Sequence, residues 1–83
     1  MSKYTGVCAA RQDTVTYTTG DIMSPVTKEL RGVSTTLMLP CEKYISDEYV
    51  FVDVFMPQIN EWVSFTSDEF DRYFLVVSGW TPE

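Results

Sequence analysis

The chain contains no histidine, only two cysteines, and four glycines that stand far apart. Each shortage removes a class of chemistry. Without histidine the commonest general base and metal ligand is missing, and a cysteine nucleophile has no imidazole to take its proton. Two cysteines fall short of the four ligands of a structural zinc site. Gly6, Gly20, Gly32 and Gly79 are isolated, so neither a phosphate-binding loop nor a dinucleotide fingerprint is present. Asp68-Glu69-Phe70-Asp71 lacks both the ligand spacing and the glycine of an EF-hand loop. The six basic residues are scattered, too thinly for a nucleic-acid groove.

Long apolar runs are missing as well. None approaches the roughly 20 residues that cross a bilayer. Met1-Ser2-Lys3-Tyr4-Thr5-Gly6 lacks the apolar core of a signal peptide, and prenylation and myristoylation patterns are absent. The expectation is a cytoplasmic protein that is not an enzyme and uses neither metal nor cofactor. In a reducing compartment Cys8 and Cys41 are expected as free, partly buried thiols; a single disulfide joining the first and middle thirds is the alternative. Asp53 interrupts an apolar run and is the one carboxylate that suggests acid–base work. A solvent-facing strand position explains it more simply, and a chain of this size has little room for a pocket beside a core.

What is present is apolar and aromatic. An apolar fraction of 45 % and an aromatic fraction of 14 % argue against disorder. Eighty-three residues make one domain, 1–83, without a linker. It should bury roughly 60–65 % of its unfolded surface.

The stretch 48–74 organises the rest. Tyr49 to Met56 is rich in β-branched and aromatic side chains, Pro57-Gln58-Ile59-Asn60 breaks the run, and Glu61 to Thr66 resumes with period-2 alternation. A hairpin with its loop at Pro57–Asn60 sets Met56 opposite Glu61, Phe55 opposite Trp62, Val54 opposite Val63, Asp53 opposite Ser64 and Val52 opposite Phe65. One face then holds Val50, Val52, Val54, Met56, Val63 and Phe65, a core face. The other holds Tyr49, Phe51, Asp53, Phe55, Trp62 and Ser64. Thr66-Ser67-Asp68-Glu69 fits a helix capping box, with Phe70 and Phe74 sharing a face and Asp68 four residues before Arg72. Leu75-Val76-Val77 either extends that helix or begins a last strand, and Gly79 closes either version.

The remainder gives further elements. Val7–Ala10 starts a strand, and Thr14–Thr18 is a second, turning at Gly20-Asp21. Ser24-Pro25 and Gly32 resemble a helix start and stop, with Val26 and Leu30 four apart between them. Val33–Leu39 is expected as a strand ended by Pro40, and Cys41–Asp47 as a loop. Trp80–Glu83 is expected as a loose tail unless Trp80 docks, with 81–83 as its flexible end. The fold class is α+β: a mostly antiparallel sheet of four or five strands with one or two short helices on one face.

The charge is lopsided. Residues 1–43 carry five basic and four acidic side chains, whereas residues 44–83 carry Arg72 against Asp47, Glu48, Asp53, Glu61, Asp68, Glu69, Asp71 and Glu83. Such a field repels nucleic acid and attracts basic partners. Eight carboxylates match the charge on about 14 Å of duplex DNA. The expected function is therefore a small acidic interaction protein that binds and inhibits a basic, nucleic-acid-handling partner, by imitating nucleic-acid charge. The contacting residues would be Asp47, Glu48, Asp53, Glu61, Asp68, Glu69 and Asp71, with Phe51, Phe55 and Trp62 as anchors. In type, a small acidic α+β domain without a cofactor motif resembles the accessory inhibitors that bacteriophages encode against host defences, which would place it in the host cytoplasm. Two other readings stand beside this one. The aromatic face is a second core, or it is buried against another copy in a self-associating assembly subunit. The acids, equally, are a solvated surface that keeps a small protein soluble.

Overall fold

A computed structural model describes residues 2–19 and 23–83. Among the described residues there are seven strands and one helix: β1 (Ser2–Ala10), β2 (Thr14–Thr19), β3 (Val26–Arg31), β4 (Leu39–Ile45), β5 (Val50–Met56), β6 (Glu61–Thr66), α1 (Ser67–Tyr73) and β7 (Phe74–Pro82). Five strands form an antiparallel sheet in the order β6-β5-β4-β1-β7, and β2 and β3 form a separate two-stranded ribbon. Among the described residues no helix is long and apolar enough to cross a membrane.

The β5–β6 hairpin has the register its sequence dictates, from Met56↔Glu61 through Val52↔Phe65. Its loop is tied by Ile59 N–H to the Met56 carbonyl at 3.3 Å and Asn60 N–H to the Pro57 carbonyl at 3.2 Å. Asn60 closes the loop at φ 54°, a left-handed conformation that asparagine tolerates better than most residues. The inner face of the sheet carries Val52, Val54, Met56, Val63, Phe65, Leu39, Cys41, Cys8 and Ala10, all buried. Over it lie α1, through Phe70, and the ribbon, through Val15 and Tyr17. The Phe65 ring meets Phe74, the first residue of β7, edge-on at 5.0 Å and Tyr17 of the ribbon at 6.0 Å, so one side chain ties β6 to the far strand and to the ribbon.

The capping box forms in full. Glu69 N–H donates to Thr66 Oγ1 at 3.1 Å and Thr66 N–H donates to Glu69 Oε1 at 2.9 Å. Thr66→Ala should therefore cost about 1 kcal/mol, read as a lower urea midpoint at unchanged slope. Asp68 and Arg72, expected to pair, form no ion pair.

Several elements depart from the sequence reading. Residues 24–32, read as a helix, contain β3, paired with β2 from Thr14↔Arg31 to Thr19↔Val26. At two turns an isolated helix is marginal, and the alternating partner strand wins. Gly32 does end the element, but by leaving β3 at φ 74°. Val33–Met38 is a loop rather than a strand. The Val33 amide bonds Asp13 instead, and Ser34 Oγ takes the Thr36 N–H at 3.4 Å, local bonds that compete with a ladder. Cys41–Ile45, read as loop, is most of β4, and Pro40 lies inside that strand. β5 pairs with β4 only from Cys41 onward, so the missing proline N–H falls where that ladder has already ended. Gly20-Asp21 lies outside the described residues.

Leu75–Val77 belong to β7, which runs on through Gly79. Thr81 and Pro82, expected in a loose tail, pair with Thr5 and Tyr4, and Glu83 N–H bonds the Lys3 carbonyl. β7 carries two residues more than the part of β1 it faces: from Thr81 to Ser78 opposite Thr5 to Val7, and from Ser78 to Val76 opposite Val7 and Cys8. Trp80 docks against Gly6. A Cβ on Gly6 would lie 2.9 Å from Trp80 Cε3 and 3.1 Å from Cζ3. Gly6→Ala should cost about 1–3 kcal/mol by displacing the indole. In a Trp62→Phe background the fluorescence of Trp80 should shift with it.

Cys8 and Cys41 are free, fully buried thiols. Cys8 faces Leu39 and Cys41 faces Gly6, so the two lie diagonally. Diagonal neighbours stand about 7–8 Å apart at Cα, beyond the usual disulfide span. The hydrogen bond to Cys41, then burial, push the Cys8 thiol far above its ordinary 9.0. Folding therefore favours the protonated thiol. That stability is complete below pH 9 and declines above it, as the unfolded thiol ionises and the folded one does not. The loss should approach about 1.4 kcal/mol per pH unit and should vanish from the stability–pH slope of Cys8→Ala.

Candidate functional site

The outer face of the five-stranded sheet carries no cover among the described residues. Alternation and register place on it Lys3 and Thr5 of β1, Glu42 and Tyr44 of β4, Phe51, Asp53 and Phe55 of β5, and Trp62 and Ser64 of β6. Tyr49, in the β4–β5 turn, leans over the same face. That turn is fastened by Ser46, whose Oγ accepts the Tyr49 N–H at 3.3 Å.

The face is striped. One polar row crosses the whole sheet: Thr81, Thr5, Glu42, Asp53 and Ser64 are successive cross-strand partners. An aromatic group flanks it on each side. Tyr44 stacks on Phe51 at 4.9 Å, and Tyr49 on Phe51 at 5.4 Å. On the other side Phe55 meets Trp62 edge-on at 5.7 Å. Tyr49 and Trp62 are each 48 % exposed.

Within the polar row Glu42 and Asp53 stand directly opposite each other. Like charges in that position destabilise a sheet. Their neighbours answer part of the charge. Lys3 Nζ lies 3.0 Å from Glu42 and 3.1 Å from Glu83, and these bonds hold its ammonium well above the ordinary lysine value. The Tyr44 hydroxyl donates to Glu42 at 3.2 Å; desolvation, then the Glu42 charge, raise the pKa of that phenol. Ser64 Oγ donates to Asp53. One ammonium thus serves two carboxylates, and Asp53 has no cation among the described residues.

The expected contact residues divide into three places. Phe51, Asp53, Phe55 and Trp62 come together on the outer face; Glu61 lies at the hairpin end of β6 on the opposite, inner-facing side, across from Met56, and Asp47 and Glu48 lie in the turn at the opposite end of β5. Asp68, Glu69 and Asp71 lie on α1, beneath the sheet. Glu69 is already engaged, by the capping box and by Thr18 Oγ1 at 3.4 Å. The sheet itself therefore separates the helix acids from Asp53. Glu42, Tyr44 and Lys3 belong to the site and were missed, because β4 reads as loop behind Pro40. The signal was there in the alternation of Cys41-Glu42-Lys43-Tyr44-Ile45.

Beside the face, at the free edge of β6, a cleft of about 410 Å³ separates that strand from the ribbon. Tyr17, Thr18, Thr19 and Lys28 line one wall and Glu61 to Ser64 the other. Among the described residues those that are buried are all apolar, with no polar or charged side chain. Among the described residues, no three His, Cys, Asp or Glu side chains converge as a metal site would need. Comparison of the chain with protein-family models, with curated proteins and with solved structures returned no match.

Proposed function

We propose that the chain is an interaction protein whose outer sheet face docks a basic surface of another protein. The observation that carries this reading is the Glu42–Asp53 pair between two aromatic groups. The arrangement works against the sheet that holds it, and a guanidinium or ammonium from a partner would relieve it. Flanking rings add a cation–π and stacking surface for the same groups. Aromatic anchors supply affinity, and the acids at Asp47, Glu48 and Glu61 orient and accelerate approach. Occupying a basic surface in this way would inhibit a nucleic-acid-handling partner, in the cytoplasm, by competition rather than catalysis. The broad side of the molecule, 34 × 33 Å, is large enough for the roughly 800 Å² per partner of a standard interface.

Charge also favours a foreign partner over a second copy. A self-docked face would press Glu42 and Asp53 against their own equivalents, in a chain of net charge −6. The test compares variants in capture from host lysate with salt-graded washes. The retained protein should be lost at high salt, and lost with Phe51→Ala, yet kept by the double change Asp68→Lys with Asp71→Lys. Loss with the helix pair and not with Phe51→Ala would move the contact to α1. A dimer in sedimentation that Trp62→Ala dissociates would replace this reading with self-association.

A further inference from the structure

The outer face is patterned along its strands as well as across them. On β5 the outward residues run Phe55, Asp53, Phe51. On β4, beginning one step past the last pair Cys41↔Val54, they run Pro40, Glu42, Tyr44. Both central strands therefore read apolar, acid, aromatic. The strands on either side do not repeat this. In the row of the two acids they carry hydroxyls instead: Ser64 on β6, Thr5 on β1 and Thr81 on β7. The acids of that row are confined to two neighbouring strands, a band about 10 Å wide at about 4.8 Å per strand.

The shape of this band selects among backbones. β4 and β5 each have a paired strand on both sides, so an extended segment laid over them has no ladder to join and leaves its own N–H and C=O groups without protein partners. A facing sheet would spread its cations over the hydroxyls as well as the acids. An α-helix satisfies its backbone internally and is about 10–12 Å across, the width of the band. Its repeat also fits. Helix positions i, i+4 and i+8 advance by about 6.0 Å a step, against about 6.8 Å for alternate residues of a strand.

We infer that the outer face receives an α-helix of the basic partner, lying along β4 and β5, with an arginine at its centre and an apolar residue one turn away on each side. The inference rests on the docking reading above and names the element that docks. The central position is set by the two carboxylates. Ser64 Oγ takes Oδ1 of Asp53, while the Tyr44 hydroxyl and Lys3 Nζ take one oxygen each of Glu42. These partners approach from within the face, and Asp53 has no cation among the described residues. A guanidinium has five donors in a planar fork, enough to reach both carboxylates, and its flat sides lie against rings; a compact ammonium does neither as well. One flanking apolar residue would rest on Phe55 and Trp62, the other on Phe51 and Tyr49. Trp62 and Tyr49, each 48 % exposed, are the rings with most surface left to cover.

The probes are capped, alanine-based peptides of about 15 residues. The first has leucine at i and i+8 and arginine at i+4. The second has glutamine for the arginine, the third has the arginine moved to i+6 on the opposite side of the helix, and the fourth adds a proline beside the arginine. The readouts are residue-resolved amide shifts of the protein and broadening by a nitroxide on either end of the peptide. Shifts at Glu42–Tyr44 and Phe51–Phe55 should saturate with the first peptide below about 1 mM. Affinity should fall about tenfold or more for the second and third, and the fourth should not bind. Asp53→Asn should weaken the first peptide and leave the second unchanged, which a merely structural role for Asp53 would not produce. A nitroxide on one end should broaden amides near Tyr49, and on the other end amides near Trp62. Broadening that runs from β6 to β7 instead overturns the alignment along the strands. Equal binding of the proline peptide overturns the helix, and equal binding of the third peptide overturns the central arginine. If no peptide binds while capture from lysate still depends on Phe51, the helix falls and face docking stands; if that capture fails too, the docking reading falls with it.

Discussion

Phe65→Ala should cost about 3–5 kcal/mol, the largest loss expected of any single truncation in this protein. Phe65 is 1 % exposed and contacts Phe74 on one side and Tyr17 on the other. Its removal opens a cavity where the sheet, the strand after the helix, and the ribbon meet. A domain of this length has about 4–12 kcal/mol in total, so the variant should be unfolded in part or whole at room temperature. Should it stay folded, the ribbon should loosen first, because among the described residues Tyr17–Phe65 is its only ring contact with the sheet. Urea unfolding gives the overall loss, and amide exchange across Thr14–Thr19 gives the local one. A cost under about 1 kcal/mol would mean that the ribbon and sheet do not share a core.

Asp53→Asn should act on stability and on binding with opposite signs. Asparagine keeps the shape and can still accept from Ser64, but it removes one of two like charges that face each other across β4 and β5. The free protein should gain about 0.2–1 kcal/mol in urea unfolding. The partner's cation should lose its carboxylate at the centre of the contact, with a fall in affinity of about 30-fold or more, equivalent to about 2 kcal/mol. A residue that only kept the surface soluble would show neither effect. Glu61→Gln, at the exposed hairpin end of β6 and off the outer face, should lower the association rate and its salt dependence while changing dissociation little. If Asp53→Asn destabilised the free protein instead, Asp53 would be a structural acceptor for Ser64 and the docking argument would lose its centre.

The parts legible in the sequence are those in which partners lie close along the chain. A four-residue break fixed the β5–β6 register, because a slip by one would have turned Val52, Val54 and Phe65 outward. The capping box at Thr66 and Glu69 is likewise a local bond pair. What misled the reading was punctuation. Ser24-Pro25 and Gly32 bracket a stretch in helical style, yet Val26 and Thr27 are β-branched, and their pairing with Thr14–Thr19 was invisible without the third dimension. Pro40 reads as a stop, although a strand tolerates proline where the neighbouring ladder has ended. That punctuation hides β4, and with it Tyr44 and Glu42, the middle member of the polar row. The helix acids were grouped with Asp53 for a related reason: proximity in sequence does not reveal that a sheet passes between them.

The two surplus residues in β7 have a consequence for how this molecule behaves in a crowd. Phe74–Pro82 is nine residues without a charge, and Leu75 and Val77 are half exposed. Laid flat, such a strand would be the natural seed for cross-β growth, each molecule adding its β7 to the last. Growth of that kind requires a straight, evenly spaced row of donors and acceptors. A surplus residue near Val77 and another between Ser78 and Thr81 bend the row twice and limit its regular stretch to Phe74–Val76 and to its last residues. The irregularity that spoils the register between β7 and β1 should thus also disfavour the growth of fibrils from this edge.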